Sequence, residues 1–125
     1  MCTTNIFSRS TASHKKKIAV VGGGLSGIIS VSCLLEEECF EPICFEKSGE
    51  YEGTWRYKEE SSEGMASIMP TTISYHSKEI GALSTFPPKK EYTNFMRHHE
   101  LLNYVTEYAN FRNVIKYIQH NSEVL

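Results

Sequence analysis

At 125 residues, 40% of them apolar, with a net charge of -2 at pH 7, the chain has room for one modest domain. It has no basic excess, so no nucleic-acid partner is expected. No apolar run approaches the roughly 18 residues of a membrane-spanning helix, so no membrane segment is expected within it.

Residues 1–16, "MCTTNIFSRSTASHKK", are polar, rich in Ser and Thr and free of acid. They lack the apolar core of a secretory signal. Arg9 is their one arginine, and without amphipathic periodicity a mitochondrial presequence is the weaker reading. A disordered polar tail and a cytoplasmic location are expected, with residues 17–125 forming the folded part.

Ile18 to Val21 is a short β-branched run that suits a strand buried on both faces. A tight glycine cluster follows it. From Gly27 to Glu38 the apolar positions Ile28, Val31, Leu34 and Leu35 recur at helical spacing, ending in "EEE". A second strand is expected at Pro42 to Glu46. Strand, turn, helix and strand within about 30 residues make one βαβ unit with a right-handed crossover. The fold class is therefore α/β, a Rossmann-like dinucleotide-binding unit.

Lys47 to Gly64 is polar and irregular and holds the single tryptophan. Met65 to Phe86 is mixed, with short extended or helical pieces around Ile68 and Ile80, and Pro87-Pro88 breaks whatever precedes. Glu100 to Phe111 reads as a second helix, with Leu101, Val105 and Tyr108 on one face and Leu102 and Ala109 beside them. Val114 to Ile118 restarts an apolar pattern. A two-strand parallel core with two main helices is an unfinished domain, so marginal stability and aggregation are expected. Cys2, Cys33, Cys39 and Cys44 show no CxxC pairing and read as small buried apolar residues. His98-His99 reads as helix-start polarity, and no metal is expected.

The glycines carry the chemistry. Gly22, Gly24 and Gly27 fit GxGxxG between a strand and a helix. There Gly22 allows the tight turn, Gly24 lets backbone approach a pyrophosphate, and Gly27 lets helix and strand pack closely. Free N–H groups and the positive end of the helix favour phosphate. Ser26 has two readings, a helix cap or a donor to a phosphate oxygen. Glu46, twenty-four residues beyond Gly22, stands where a carboxylate accepts hydrogen bonds from an adenosine ribose. An acid there favours the unphosphorylated ribose of FAD or NAD over that of NADP. The fingerprint itself does not separate FAD from NAD.

Four blocks, "KKIAVVGGGLSGI", "CFEKSGEYEGTWRY", "SKEIGALSTFP" and "EYTNFMRHHELLNYVTEYANF", together resemble the N-terminal part of the flavin-containing monooxygenases. The resemblance runs from about Lys16 to the C-terminus, with the blocks in family order and spacing. It implies FAD in this first domain, reduced by NADPH from a second, inserted domain. The reduced flavin then captures oxygen as a C4a-hydroperoxide and oxygenates soft nitrogen or sulfur nucleophiles. It also implies that residues 17–125 are the N-terminal portion of an FAD-binding domain.

Carried over by residue, Gly22, Gly24 and Gly27 match the pyrophosphate turn and Glu46 matches the ribose acid; Ser26 and Lys47, beside them, are expected to bind the cofactor too. Gly53 and Trp55 match the loop after the second strand. Trp55 reads either as a contact beside the flavin or as packing. Glu52 replaces the first of the family's paired glycines. Tyr75 stands where the family has an asparagine near the reactive flavin face, so no catalytic residue is assigned. His76, lacking an identifiable partner, is not expected to be catalytic.

The family's second glycine-rich turn, for NADPH, its FxGxxxHxxxY-type signature and its hydrophobic anchor are not found before Leu125. An N-terminal fragment or short form, inactive by itself, is therefore expected, with endoplasmic reticulum association belonging to full-length relatives. Two other readings are a non-catalytic dinucleotide-binding or interaction module, which Glu52 and Tyr75 favour, and half of an NAD-dependent dehydrogenase, which "EGTWRY" opposes.

Overall fold

The computed structural model describes residues 14–51, 53–60 and 63–125. The expected tail lies almost wholly outside them, as do Cys2 and Glu52. Three strands form one parallel sheet: β1 (Lys16–Val21), β2 (Phe40–Phe45) and the short β3 (Ile118–Gln119), in the order β1-β2-β3. β1 and β2 align from Lys16↔Phe40 to Val21↔Phe45, and β2 meets β3 at Cys44↔Ile118 and Phe45↔Gln119. The third strand corrects the expected two-strand core. It is two residues long, shorter than any run that periodicity resolves, and backbone pairing with β2 is what makes it a strand.

β1 also departs from expectation. Ile18 and Val20 are half-buried, while Ala19 and Val21 on the opposite face are exposed. The helix α1 (Leu25–Leu35) packs on the sheet, and the β1 side chains facing away from it stay open. β2, between two neighbours, buries Pro42 and Cys44.

α1 starts two residues before its expected position because Gly24, in extended conformation, takes the N-cap place. The first helical bond runs from the Ile28 N–H to the Gly24 carbonyl at 3.0 Å. The glutamates expected to close the helix lie beyond it. The Glu36 and Glu37 N–H groups reach back to Cys33 and Leu34 in tight terminal turns. Consecutive negative charges at the negative end of the helix dipole oppose further winding.

The second helix, α2 (His98–Phe111), likewise begins before Glu100. The Glu100 carboxylate accepts the Arg97 N–H at 3.0 Å and the Thr93 N–H at 3.0 Å, so that glutamate sits inside the first turn as a capping acceptor. Glu100 therefore marks the third helical position. Before it, Ser74 N–H donates to Met96 and His98 N–H to Thr72, an antiparallel contact that also includes Ile73↔Arg97. Bridged backbone in the Met65–Phe86 region therefore falls at Ile73 and at Leu83↔Phe86. A turn closed by the Gly81 N–H on the Ser77 carbonyl at 3.0 Å surrounds Ile80, while among the described residues no bridge forms at Ile68.

The core joins Ile28 and Val31 of α1, Cys44 of β2, Val105, Tyr108 and Ala109 of α2, then Val114 and Ile118. Burying each large aliphatic there contributes about 1.5–3 kcal/mol. Polar contacts clamp the helices together. Tyr108 Oη donates to buried Ser32 at 2.9 Å, Arg112 Nε donates to the same hydroxyl at 2.7 Å, and Arg112 pairs with Glu36. Among the described cysteines, Cys44 is free and buried, whereas Cys33 is exposed on α1 and Cys39 is disulfide-bonded, and both of these depart from expectation.

Candidate functional site

The residues of interest meet where β1 and β2 end and α1 begins. Gly22 turns the chain with φ +94, a conformation that side chains disfavour. Its N–H continues the sheet by donating to the Phe45 carbonyl at 2.8 Å. A Cβ on Gly27 would lie 1.9 Å from the Gly22 carbonyl oxygen, so α1 and the end of β1 are packed backbone to backbone. That contact aims the start of α1 past the turn. The amides of Leu25, Ser26 and Gly27 precede the first helical bond and project beyond the helix start, where they suit an anion.

Glu46, the first residue after β2, folds back onto this turn. Its Oε2 accepts the Gly23 N–H at 2.6 Å, and its Oε1 accepts the Ser48 N–H and hydroxyl, each at 2.8 Å. The side chain is buried, with 8% of the residue exposed. Burial opposes its ionisation. The Ser48 and Gly23 amides, the Ser48 hydroxyl and the charge of His120 together outweigh burial and hold the carboxyl below its ordinary range. An ionised carboxylate has about four acceptor positions, and these three bonds leave capacity for a ligand hydroxyl.

A second loop closes over the turn. Gly53, at φ +60, opens a one-turn 3-10 helix ending at Trp55. A Cβ on Gly53 would approach the Gly24 Cα to 3.0 Å, so two glycines bring separate stretches of backbone together. Between them lies a cleft of about 220 Å³, lined by Gly22, Gly24, Glu46, Lys47, Gly53 and Arg56 among others. Lys47 Nζ donates to the Gly64 carbonyl and Arg56 pairs with Glu50 at 2.6 Å, both on the cleft wall. With the amides at the start of α1, the cations Lys47, Arg56 and Lys58 and the Glu46 acceptor suit a diphosphate joined to a sugar.

Five of the expected residues, Gly22, Gly24, Glu46, Lys47 and Gly53, thus share one cleft. The others stand elsewhere. Ser26 is exposed at the second position of α1, and Gly24 holds the cap place without a side-chain bond. The capping reading of Ser26 is therefore corrected: a capping side chain must precede the helix. Gly27 is buried by the helix–strand contact. Trp55 is half-buried on a turn packed against α2, outside the residues lining the cleft. Tyr75 is 87% exposed, its ring 4.1 Å from that of His76.

The sequence reading overlooked Gly23 and Ser48. Gly23 counts as a variable position in GxGxxG, yet a Cβ there would sit 3.2 Å from Glu46. Ser48, two residues beyond the acid, had a signal in its short hydroxyl, which readily bonds back to a nearby group. Among the described residues no His, Cys, Asp and Glu cluster could hold a metal ion, and no helix is long and apolar enough to cross a membrane.

Residues 15–125 match the model of a family described as flavin-binding monooxygenase-like. The chain is 44% identical over 110 residues to flavin-containing monooxygenase 5 of Cavia porcellus, covering 88% of this chain and 20% of that protein. It therefore spans about a fifth of the length of that relative. Among solved structures, S-allyl-L-cysteine S-oxygenase from Allium sativum superposes with a TM-score of 0.80 at 19% identity, over 88% of this chain and 28% of that one. OTEMO in complex with FAD and NADP gives 0.66 at 22% identity, over 91% and 20%. At such identities the two structures establish likeness of fold.

Proposed function

Because the chain belongs to the flavin-binding monooxygenase-like family, we propose that residues 17–125 are the N-terminal portion of an FAD-binding domain and that the cleft at Gly22, Gly24 and Glu46 holds the adenosine diphosphate part of FAD. The observation that carries this reading is the 2.6 Å bond from Gly23 N–H to Glu46. It fastens an ionised acceptor for sugar hydroxyls beside the amides that suit a diphosphate. A relative solved with FAD and NADP in the same fold supports it.

Each residue has a separate task. The Leu25, Ser26 and Gly27 amides donate to phosphate oxygens, with the Ser26 hydroxyl as a further donor. Gly24 and Gly53 give the backbone room to come close. Glu46, held by Gly23 and Ser48, accepts ribose hydroxyls, and its charge disfavours a 2′-phosphate. Lys47 supplies positive charge at the rim. Trp55, set on a turn beside α2, orients the loop that carries Gly53.

FAD bound there supplies oxygen-transfer chemistry to soft nitrogen or sulfur nucleophiles, with NADPH as the reductant. We propose further that these residues by themselves hold flavin without turning over, because the family resemblance assigns NADPH to a second, inserted domain and the chain spans 20% of its relative. Purified chain is expected to retain yellow flavin in a one-to-one ratio, and adding NADPH should leave the absorbance unchanged. Purification without flavin, and no uptake of added FAD, would overturn the reading. Rapid bleaching by NADPH would overturn the assignment of inactivity alone.

Tyr75 favours one second reading, a binding module of this family that does not perform oxygenation. A phenol ring is far larger than the amide of the family's asparagine, and here it is exposed to solvent. Joined to the remaining domains of a related enzyme, a Tyr75→Asn variant separates the two: oxygenation gained on substitution supports the module, and equal activity supports the enzyme.

A further inference from the structure

His120 is a half-buried side chain to which the tasks above assign nothing. Its Nδ1 is buried without a hydrogen-bond partner, an arrangement that disfavours the folded state unless something compensates. It directly follows β3, and the alignment Phe45↔Gln119 carried one residue further sets it alongside Glu46. The Glu46 N–H donates to Gln119 and the Ser122 N–H donates to Glu46, both at 2.9 Å, so the backbone on either side of His120 is fastened to the acid. The Tyr51 ring, from the cleft wall, stands 6.0 Å from the imidazole.

We infer that His120 is a positioning residue that makes the grip of Glu46 on the FAD sugar depend on pH, an inference resting on the FAD reading above. Its charge is among the influences favouring ionised Glu46. The titratable groups placed beside it are Glu46, which follows β2, and Tyr51 from the next loop. Of the core residues that α1 and α2 contribute, only Tyr108 titrates, and its hydroxyl donates to Ser32. Glu123, three residues on, is exposed.

A histidine changes charge between about pH 5 and 8. FAD adds phosphate charge near the start of α1 and covers Glu46 from water, which favours the protonated imidazole. By linkage, protonation then favours FAD. For a partly solvated charge, the effect is roughly three- to tenfold in affinity.

The test measures FAD dissociation by flavin-fluorescence quenching at pH 8 and pH 6 in the full chain, in His120→Phe and in His120→Gln. Helical circular dichroism checks that each variant folds, and glutamine keeps a polar side chain should phenylalanine not fit. The parent is expected to bind roughly three- to tenfold tighter at pH 6, and both variants equally at either pH. Tight FAD binding with the same pH profile in parent and variants overturns this inference alone. No FAD binding at either pH overturns the FAD reading and this inference with it.

Discussion

Glu46 Oε2 lies 2.6 Å from the amide nitrogen of Gly23, so the end of β2 and the turn after β1 are joined by one charge-assisted hydrogen bond. The contact spans 23 residues of sequence. Through it, the acid that suits a sugar and the backbone that suits a diphosphate keep a fixed relation before any ligand arrives.

Replacing that acid with its neutral isostere isolates the charge. Glu46→Gln keeps the shape but weakens the bonds from Gly23 and Ser48. Hydrogen bonds to charged groups contribute about 1.5–3 kcal/mol, so FAD affinity should fall about tenfold or more by fluorescence titration. Unchanged affinity would remove Glu46 from the site.

Gly27 tests the packing beneath the turn. An alanine methyl would lie 1.9 Å from the Gly22 carbonyl oxygen, and relief requires parting α1 from β1. Gly27→Ala should lose about 3 kcal/mol, at the upper end of overpacking effects, read as a lower urea midpoint. A loss under roughly 0.5 kcal/mol, as at an ordinary surface site, would mean that the contact yields freely.

Gly53 separates binding from stability. Alanine there meets φ +60 and a 3.0 Å approach to Gly24, which costs about 1–2 kcal/mol in the left-handed backbone. The cheapest relief swings the loop away from the turn and opens the cleft. Gly53→Ala should therefore weaken FAD roughly fivefold or more, consistent with about 1 kcal/mol. Gly49→Ala, whose methyl would meet only Asn121 Oδ1 at 3.6 Å, should leave the affinity unchanged.

Glu100 predicts a response to acid. Burial works against its ionisation, but the Thr93 hydroxyl and amide and the Arg97 amide hold its carboxyl down at about 2, from an ordinary 4.5. A folded-state value below the unfolded one stabilises the fold above the unfolded value, and that stabilisation fades as pH falls toward 2. Urea midpoints should therefore decline between about pH 5 and pH 2, less steeply in Glu100→Gln. Equal slopes would show that the capping bond contributes nothing.

Local pattern was enough for the βαβ order and for the glycine turn. Strand, turn and helix differ in periodicity and glycine content, and those are properties of neighbouring residues. The place of Glu46 just after β2 was legible because the apolar run before it ends there. Tertiary structure decided which groups meet. It drew β3 from two residues with no periodicity of their own, left Val21 open where a fully buried strand was expected, and moved the cap of α1 to Gly24. It also brought Gly53 against Gly24 and set His120 beside Glu46. Those pairings join residues far apart in sequence, and only the packing of helices on the sheet and the register of its strands set their separation in space.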